Sequence, residues 1–163
     1  MKPDGRTKRS PTPARAKTVP LKTAQEYELT TKRRGELSEL AFVYKAASMG
    51  FPVAKPYGDS ERYDFILDTG HRFWRIQVKS TTTLLNGLYR INSHRRTNHG
   101  VVAYRPEEID FLVAHIIPED TWFILPIAAI HNRTSVLLPP HRHTRSRTLH
   151  ADYREAWHLL REP

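Results

Sequence analysis

The 163-residue chain contains no cysteine. That excludes disulfides and thiolate-held metals and favours an intracellular setting. No apolar run approaches the roughly 20 residues needed to span a bilayer. The first residues lack the apolar core of a secretory signal, so the expected location is cytoplasmic, the nucleoid included. No internal repeat is visible, and no basic amphipathic helix marks a membrane surface as a partner. Histidine is present, but His94, His99, His131, His141, His143 and His150 contain no helical His-x-x-x-His pair backed by an acid, which argues against zinc. Acidic residues are in short supply: 17 Asp and Glu face 26 Lys and Arg, for a net charge of +9. This excess points to an anionic partner, with nucleic acid first.

What is present divides into a tail and a domain. Residues 1–31 combine Pro3, Pro11, Pro13 and Pro20 with Lys2, Arg6, Lys8, Arg9, Arg15 and Lys17, and have few large apolar residues. Burial there cannot offset the entropy of ordering, so a disordered basic arm is expected. Residues 32–163 have the length and pattern of one folded domain. A helix is expected over Lys32 to Met49, ended by Gly50. Its apolar residues form two stripes, one with Leu37, Leu40, Ala41 and Tyr44 and one with Glu39, Phe42, Val43 and Ala46. Only a strip around Ser38 and Lys45 is polar, so cover on more than one side is expected. Glu39 on an apolar stripe calls for a partner or a metal.

Short strands follow at Phe51–Ala54, Leu88–Asn92, Asp110–Ile117 and Thr121–Leu125, with a short helix at Ile127–Ile130. Residues 93–100 read as a polar loop and residues 139–150 as a basic loop. Asp152 and Glu155 resemble a capping box opening a last helix, whose apolar face is Tyr153, Ala156, Trp157 and Leu160. The order implies an α+β or α/β/α domain around a mixed sheet flanked by the two helices.

The stretch Tyr63–Leu67, a turn at Asp68-Thr69-Gly70-His71, and Arg75–Lys79 read as one hairpin. If Gly70-His71 is a two-residue turn, paired positions sum to 141. Asp64 then faces Gln77 and Ile66 faces Arg75, and Asp64, Gln77 and Lys79 project from one side. A carboxylate, an amide oxygen and an ammonium so placed can hold a divalent metal and a phosphate.

A helix acid, Tyr63-Asp64 on one strand and Gln77-Val78-Lys79 on the next resemble the PD-(D/E)XK nuclease superfamily. Within it the chain is similar to the group I intron-associated homing endonucleases, in which Gln replaces the usual acid before x-Lys. The similarity takes in Gly35-Glu36-Leu37-Ser38-Glu39, Gly50-Phe51-Pro52-Val53, Pro56, Asp110-Phe111, Trp122, Pro126 and Tyr153-Arg154-Glu155-Ala156-Trp157. Archaeal Holliday-junction resolvases also resemble Gly35 to Lys79. The resemblance implies a restriction-endonuclease-like core and metal-assisted hydrolysis of DNA phosphodiesters. It implies Asp64 as central Mg²⁺ ligand, Mn²⁺ being able to take its place, with Gln77, the Val78 carbonyl and Glu39 completing the set. Glu36 is the substitute acid if the register differs.

Lys79 would orient water or neutralise charge, and Ser80 and Thr81 would bind a phosphate. Arg90, Arg95 and Arg96, and Arg142, Arg145 and Arg147 in the late loop, are the expected contacts to double-stranded DNA. Cutting two strands favours a homo-oligomer, dimer or tetramer. An amide at position 77 supplies no charge, so a nuclease fold that binds DNA or RNA without cutting is the alternative reading. A basic RNA-binding protein of ribosomal type is a third.

Overall fold

A computed structural model describes residues 30–58, 60–141 and 150–161. Of the expected arm, only Thr30 and Thr31 fall among them, as the cap and the first residue of the first helix. This helix, α1, spans Thr31–Ser48, and the Thr30 hydroxyl caps it by accepting from the Arg33 amide at 3.2 Å. Gly50, with φ at +85°, closes it as expected. Its amide donates to the Ala47 carbonyl at 2.9 Å, and the Phe51 amide to that of Ala46 at 3.1 Å, the paired bonds of a Schellman ending.

The strands are β1 (Val53–Ala54), β2 (Phe65–Asp68), β3 (Phe73–Thr81), β4 (Leu84–Leu85), β5 (Leu88–Asn92), β6 (His94–Thr97), β7 (Gly100–Ala103), β8 (Phe111–Ile116), β9 (Thr121–Pro126) and β10 (Ser135–Leu138). A four-residue helix, α2, spans Ile127–Ile130. The main sheet runs β1-β2-β3-β8-β9. β3 and β8 are parallel and the other neighbours antiparallel, so the sheet is mixed and the class is α+β as expected. A three-stranded sheet, β10-β5-β4, and the ribbon β6-β7 complete the described strands.

The main sheet is buried on both faces, because successive side chains of β8 and β9 enter different cores. Phe111, Val113, Trp122 and Ile124 join Phe42, Ala46, Phe65, Leu67, Ile76 and Val78 beneath α1. Leu112, Ala114, Ile116, Phe123 and Leu125 join Tyr89, Ile91, Val136 and Leu138 on the other side. The parallel pair is locked at its start by Arg75 and Asp110. The Arg75 backbone amide and Nε both reach Asp110 Oδ2, at 2.8 and 3.0 Å, and Nη2 reaches Oδ1 at 2.9 Å. Arg75 also donates to the carbonyls of Pro106 and Glu107. A bidentate fork of this kind fixes direction as well as distance.

Three expectations fail. The helix α1 buries one stripe, Ser38, Phe42 and Ala46, while Leu40 and Tyr44 are 64% and 78% exposed. Apolar residues lie around most of this helix, so the pattern could not rank its faces. Packing chose the stripe on which small Ser38 and Ala46 flank Phe42, and His115 gives the Ser38 hydroxyl a partner at 3.0 Å. The polar stretch 93–100 is not a loop: it forms β6 and the turn into β7, paired from His94↔Ala103 to Thr97↔Gly100. The last helix is two 3₁₀ turns, Ala151–Tyr153 and Trp157–Leu160. Glu155 takes φ of +48° between them. Its amide donates to the Trp122 carbonyl at 2.7 Å, and its carboxylate accepts from the Trp122 amide at 2.8 Å and the Trp157 indole at 2.7 Å. Covering the free edge of β9 thus outcompeted the capping box. Ala156, Trp157 and Leu160 are buried as expected.

Candidate active site

The hairpin register agrees with the count. Phe65 pairs with Ile76, Ile66 with Arg75 and Asp68 with Phe73, each pair summing to 141. Gly70 has φ of +80°, which only glycine adopts freely in such a turn. The pairing of β2 with β3 stops at Phe65↔Ile76, whereas that of β3 with β8 continues to Thr81↔Ile116. Residues 77–81 of β3 therefore have a neighbour on one side and an open edge on the other. The Asp64 amide makes the last bond across, to the Ile76 carbonyl at 2.8 Å. The Asp64 side chain then turns onto the open edge, where Oδ2 accepts from the Val78 amide at 2.7 Å. An amide left bare there would cost free energy, so the strand stagger itself places the carboxylate.

A cleft of ≈ 400 Å³ lies at this edge, lined by Glu39, Asp64, Gln77, Val78, Lys79 and Ser80 among others. The four residues expected to share a site thus share one cleft. Glu36 is absent from its lining and pairs with Arg33 at 3.3 Å. Glu39 Oε2 accepts from Lys55 Nζ at 3.0 Å. Gln77 is buried and its Nε2 donates to Asp64 Oδ2 at 2.5 Å and to the Val78 carbonyl at 3.3 Å. Asp64 Oδ1 has no hydrogen-bond partner among the described residues.

Burial pushes the Asp64 carboxyl above the usual range, and the nearby Glu39 charge adds to this. The Val78 amide, Lys79 and Gln77 pull the other way without cancelling it. Burial draws the Lys79 ammonium below its usual range, partly offset by Asp64 and Glu39. Lys79 Nζ lies 5.8 Å from the centre of the Tyr104 ring. Burial first, and then the Asp64 and Glu108 charges, hold the Tyr104 hydroxyl up, so it stays neutral.

These shifts have a sign. The raised Asp64 value favours folding fully at low pH, and that contribution is lost as pH rises through the folded value. The lowered Lys79 value favours folding at high pH, and its contribution is lost as pH falls through the folded value. At neutral pH both charged forms oppose folding. Asp64→Asn, which can still accept from the Val78 amide, should therefore raise the metal-free melting midpoint by a few degrees, at roughly 2–4 °C per kcal/mol. A calorimetric scan with and without Mg²⁺ checks this, and Mg²⁺ should raise the midpoint of the wild type alone. A variant that melts below the wild type without metal would show that the buried charge carries no such cost.

The donor set fits a hard cation: two carboxylates, a carbonyl and an amide, all from residues that line one cleft. Among the described residues there is no cluster of three His, Cys, Asp or Glu, so a cation placed here would also need an oxygen of Gln77 or Val78. Of the expected DNA contacts, Ser80, Thr81, Arg90 and Arg96 line the neighbouring cavity along the same edge. Arg95 turns away and pairs with Glu108 at 2.8 Å. Arg142, Arg145 and Arg147 lie outside the described residues. Sequence reading missed Arg34, Lys55, Asn92 and His94. The Arg33-Arg34 pair beside Gly35 was the available signal for the first, since Arg34 lies one turn before Ser38 on the same helix face.

This arrangement of helix acid, strand acid and Gln-x-Lys on one open sheet edge defines a nuclease of the restriction-endonuclease-like class. The chain belongs to the PD-(D/E)XK endonuclease family, whose model matches residues 29–160. Among solved structures it is similar to a bacterial homing endonuclease, I-Ssp6803I. The two are 28% identical with a TM-score of 0.71, over 81% of this chain and 93% of that one. No curated protein matches it in sequence. Among the described residues no helix is long and apolar enough to cross a membrane.

Proposed function

We propose that the protein is a metal-dependent endodeoxyribonuclease of the homing-endonuclease kind, hydrolysing phosphodiester bonds of double-stranded DNA. The observation that carries this reading is the open edge of β3, where Asp64, Gln77 and Lys79 share a cleft with Glu39. Family membership supports it. Bound in that cleft, Mg²⁺, or Mn²⁺ in its place, would supply Lewis acidity and make hydroxide accessible near neutral pH. Asp64 through its free Oδ1, Glu39 and the Val78 carbonyl would hold the cation. Gln77 would join by turning its amide over. With nitrogen inward it satisfies Asp64 as found, and with oxygen inward it would face a carboxylate oxygen, an arrangement that a shared cation stabilises. Lys79 would lie against the phosphate and offset the negative charge that grows on its oxygens. One site per chain cuts one strand, so scission of both calls for a homo-oligomer, dimer or tetramer.

The purified protein should nick or cut duplex DNA with Mg²⁺ or Mn²⁺ and not with EDTA. The second reading, a nuclease fold that binds without cutting, has one observation in its favour. Gln77 and Lys55 already occupy one oxygen each of Asp64 and Glu39. Firm DNA binding without cleavage in either metal would establish that reading and defeat the first.

A further inference from the structure

The cleft does not end at Ser80. It opens along the same edge into a larger trough of ≈ 570 Å³. Thr31, Ser80, Asn92, His94 and Arg96 line both. The chemistry of the two parts differs. Glu39 and Asp64 stand at the first, whereas the lining of the second includes no carboxylate and instead offers Arg34, Arg90 and Arg96 with the hydroxyls of Thr81, Thr82 and Thr83.

The neighbouring arginines spend their charge on acids: Arg33 on Glu36, Arg75 on Asp110 and Arg95 on Glu108. Arg34 does not. Its Nη1 donates to the Thr82 hydroxyl and Nη2 to the Thr31 hydroxyl, both at 3.2 Å. Neutral partners fix the guanidinium in place, and no described carboxylate compensates its charge. No described carboxylate pairs with Arg90 or Arg96 either. Planar guanidiniums gathered beside hydroxyl donors match the oxygens of a phosphate. The position also suits a strand of nucleic acid. At about 3.3 Å per extended residue, Thr82 lies about 10 Å beyond Lys79, so a strand running along this edge would present a different phosphate there.

We propose that this trough is a second anion site, which holds a backbone phosphate of the bound DNA a few nucleotides from the bond that is cut, with Arg34 as its principal cation. The proposal rests on the nuclease reading for its substrate. Arg34 is a positioning residue, since it would touch the DNA away from the reacting atoms.

The test is a salt titration of binding to mixed-sequence duplexes, without divalent metal, for full-length wild type, Arg34→Ala, Arg34→Lys and Asp64→Ala. Arg34→Ala should bind about ten- to a hundredfold more weakly, equally across sequences, as expected for one lost charged hydrogen-bonding group. The slope of log affinity against log salt should become shallower by about 0.9, one phosphate's worth. Arg34→Lys should keep the wild-type slope, and Asp64→Ala, which removes a negative charge, should not make it shallower. In cleavage, Arg34→Ala should raise KM far more than it lowers kcat.

An Arg34→Ala variant with wild-type affinity and slope overturns the proposal, as does weaker binding at unchanged slope. If inorganic phosphate raises the wild-type melting midpoint and not that of Arg34→Ala, while both bind DNA alike, the trough takes free phosphate and the DNA assignment fails. A chain that never cuts defeats the nuclease reading and leaves the salt slopes to decide this one.

Discussion

Replacing Asp64 with alanine will abolish cleavage while leaving DNA binding in place. This side chain accepts from the Val78 amide and from Gln77 through Oδ2, and it lines the cleft. No other described carboxylate combines a seat on the open edge with burial that raises its basicity. Its loss should remove several kcal/mol of charge stabilisation, a rate loss of roughly a thousandfold or more. Lys79→Ala should lose about 10²–10³-fold, the usual effect of removing a group aimed at developing charge. Single-turnover cleavage of a labelled duplex in Mg²⁺, with binding measured in parallel, reads both. Cutting at wild-type rate by both variants would place the active site elsewhere.

Phe42→Ala should cost about 3–5 kcal/mol of stability, a large part of the 5–15 kcal/mol typical of a domain. The ring is fully buried. It lies 5.4 Å from the ring centre of Phe65 and 6.3 Å from those of Trp122 and Trp157, so its removal empties the joint between helix, sheet and C-terminal segment. The melting midpoint should fall by on the order of 10 °C. Tyr44→Ala, two residues on and outward, should change stability by no more than about 0.5 kcal/mol. Equal losses from the two would mean that α1 is covered on both sides after all.

That contrast marks where sequence reading stopped. The hairpin was legible because strand alternation and a glycine turn fix the register by arithmetic, and a register fixes which side chains meet. The helix α1 was legible in its extent and in its glycine ending. Its buried face was not, because Leu40 and Tyr44 look as apolar as Phe42, and only the sheet beneath decides between them. The ribbon β6-β7 was missed because its first strand is His-Arg-Arg-Thr, whose pairing depends on a return strand rather than on any apolar pattern of its own. The Asp152 and Glu155 spacing misled for a related reason. A local capping signal worth about 1 kcal/mol lost to bonds from Glu155 onto a strand edge remote in the chain.

Of the site, Asp64, Gln77 and Lys79 could be read from the hairpin alone, and Glu39 from an acid on an apolar stripe together with the family pattern. Arg34 was signalled only as half of a basic pair, and Lys55 not at all, because what sets them apart is which acids they avoid or meet.

The staggered pairing of β3 also dictates an order of assembly. On one side it joins β2 through a turn of a few residues, a contact that closes within microseconds. On the other it lies parallel to β8, with residues 82–110 between them, and such distant pairings form late. Asp64, Gln77 and Lys79 should therefore come together early, within a single local hairpin of the fold. The edge they face gains its rigid backing only when β8 docks, so catalytic competence should lag behind hairpin formation as the chain refolds.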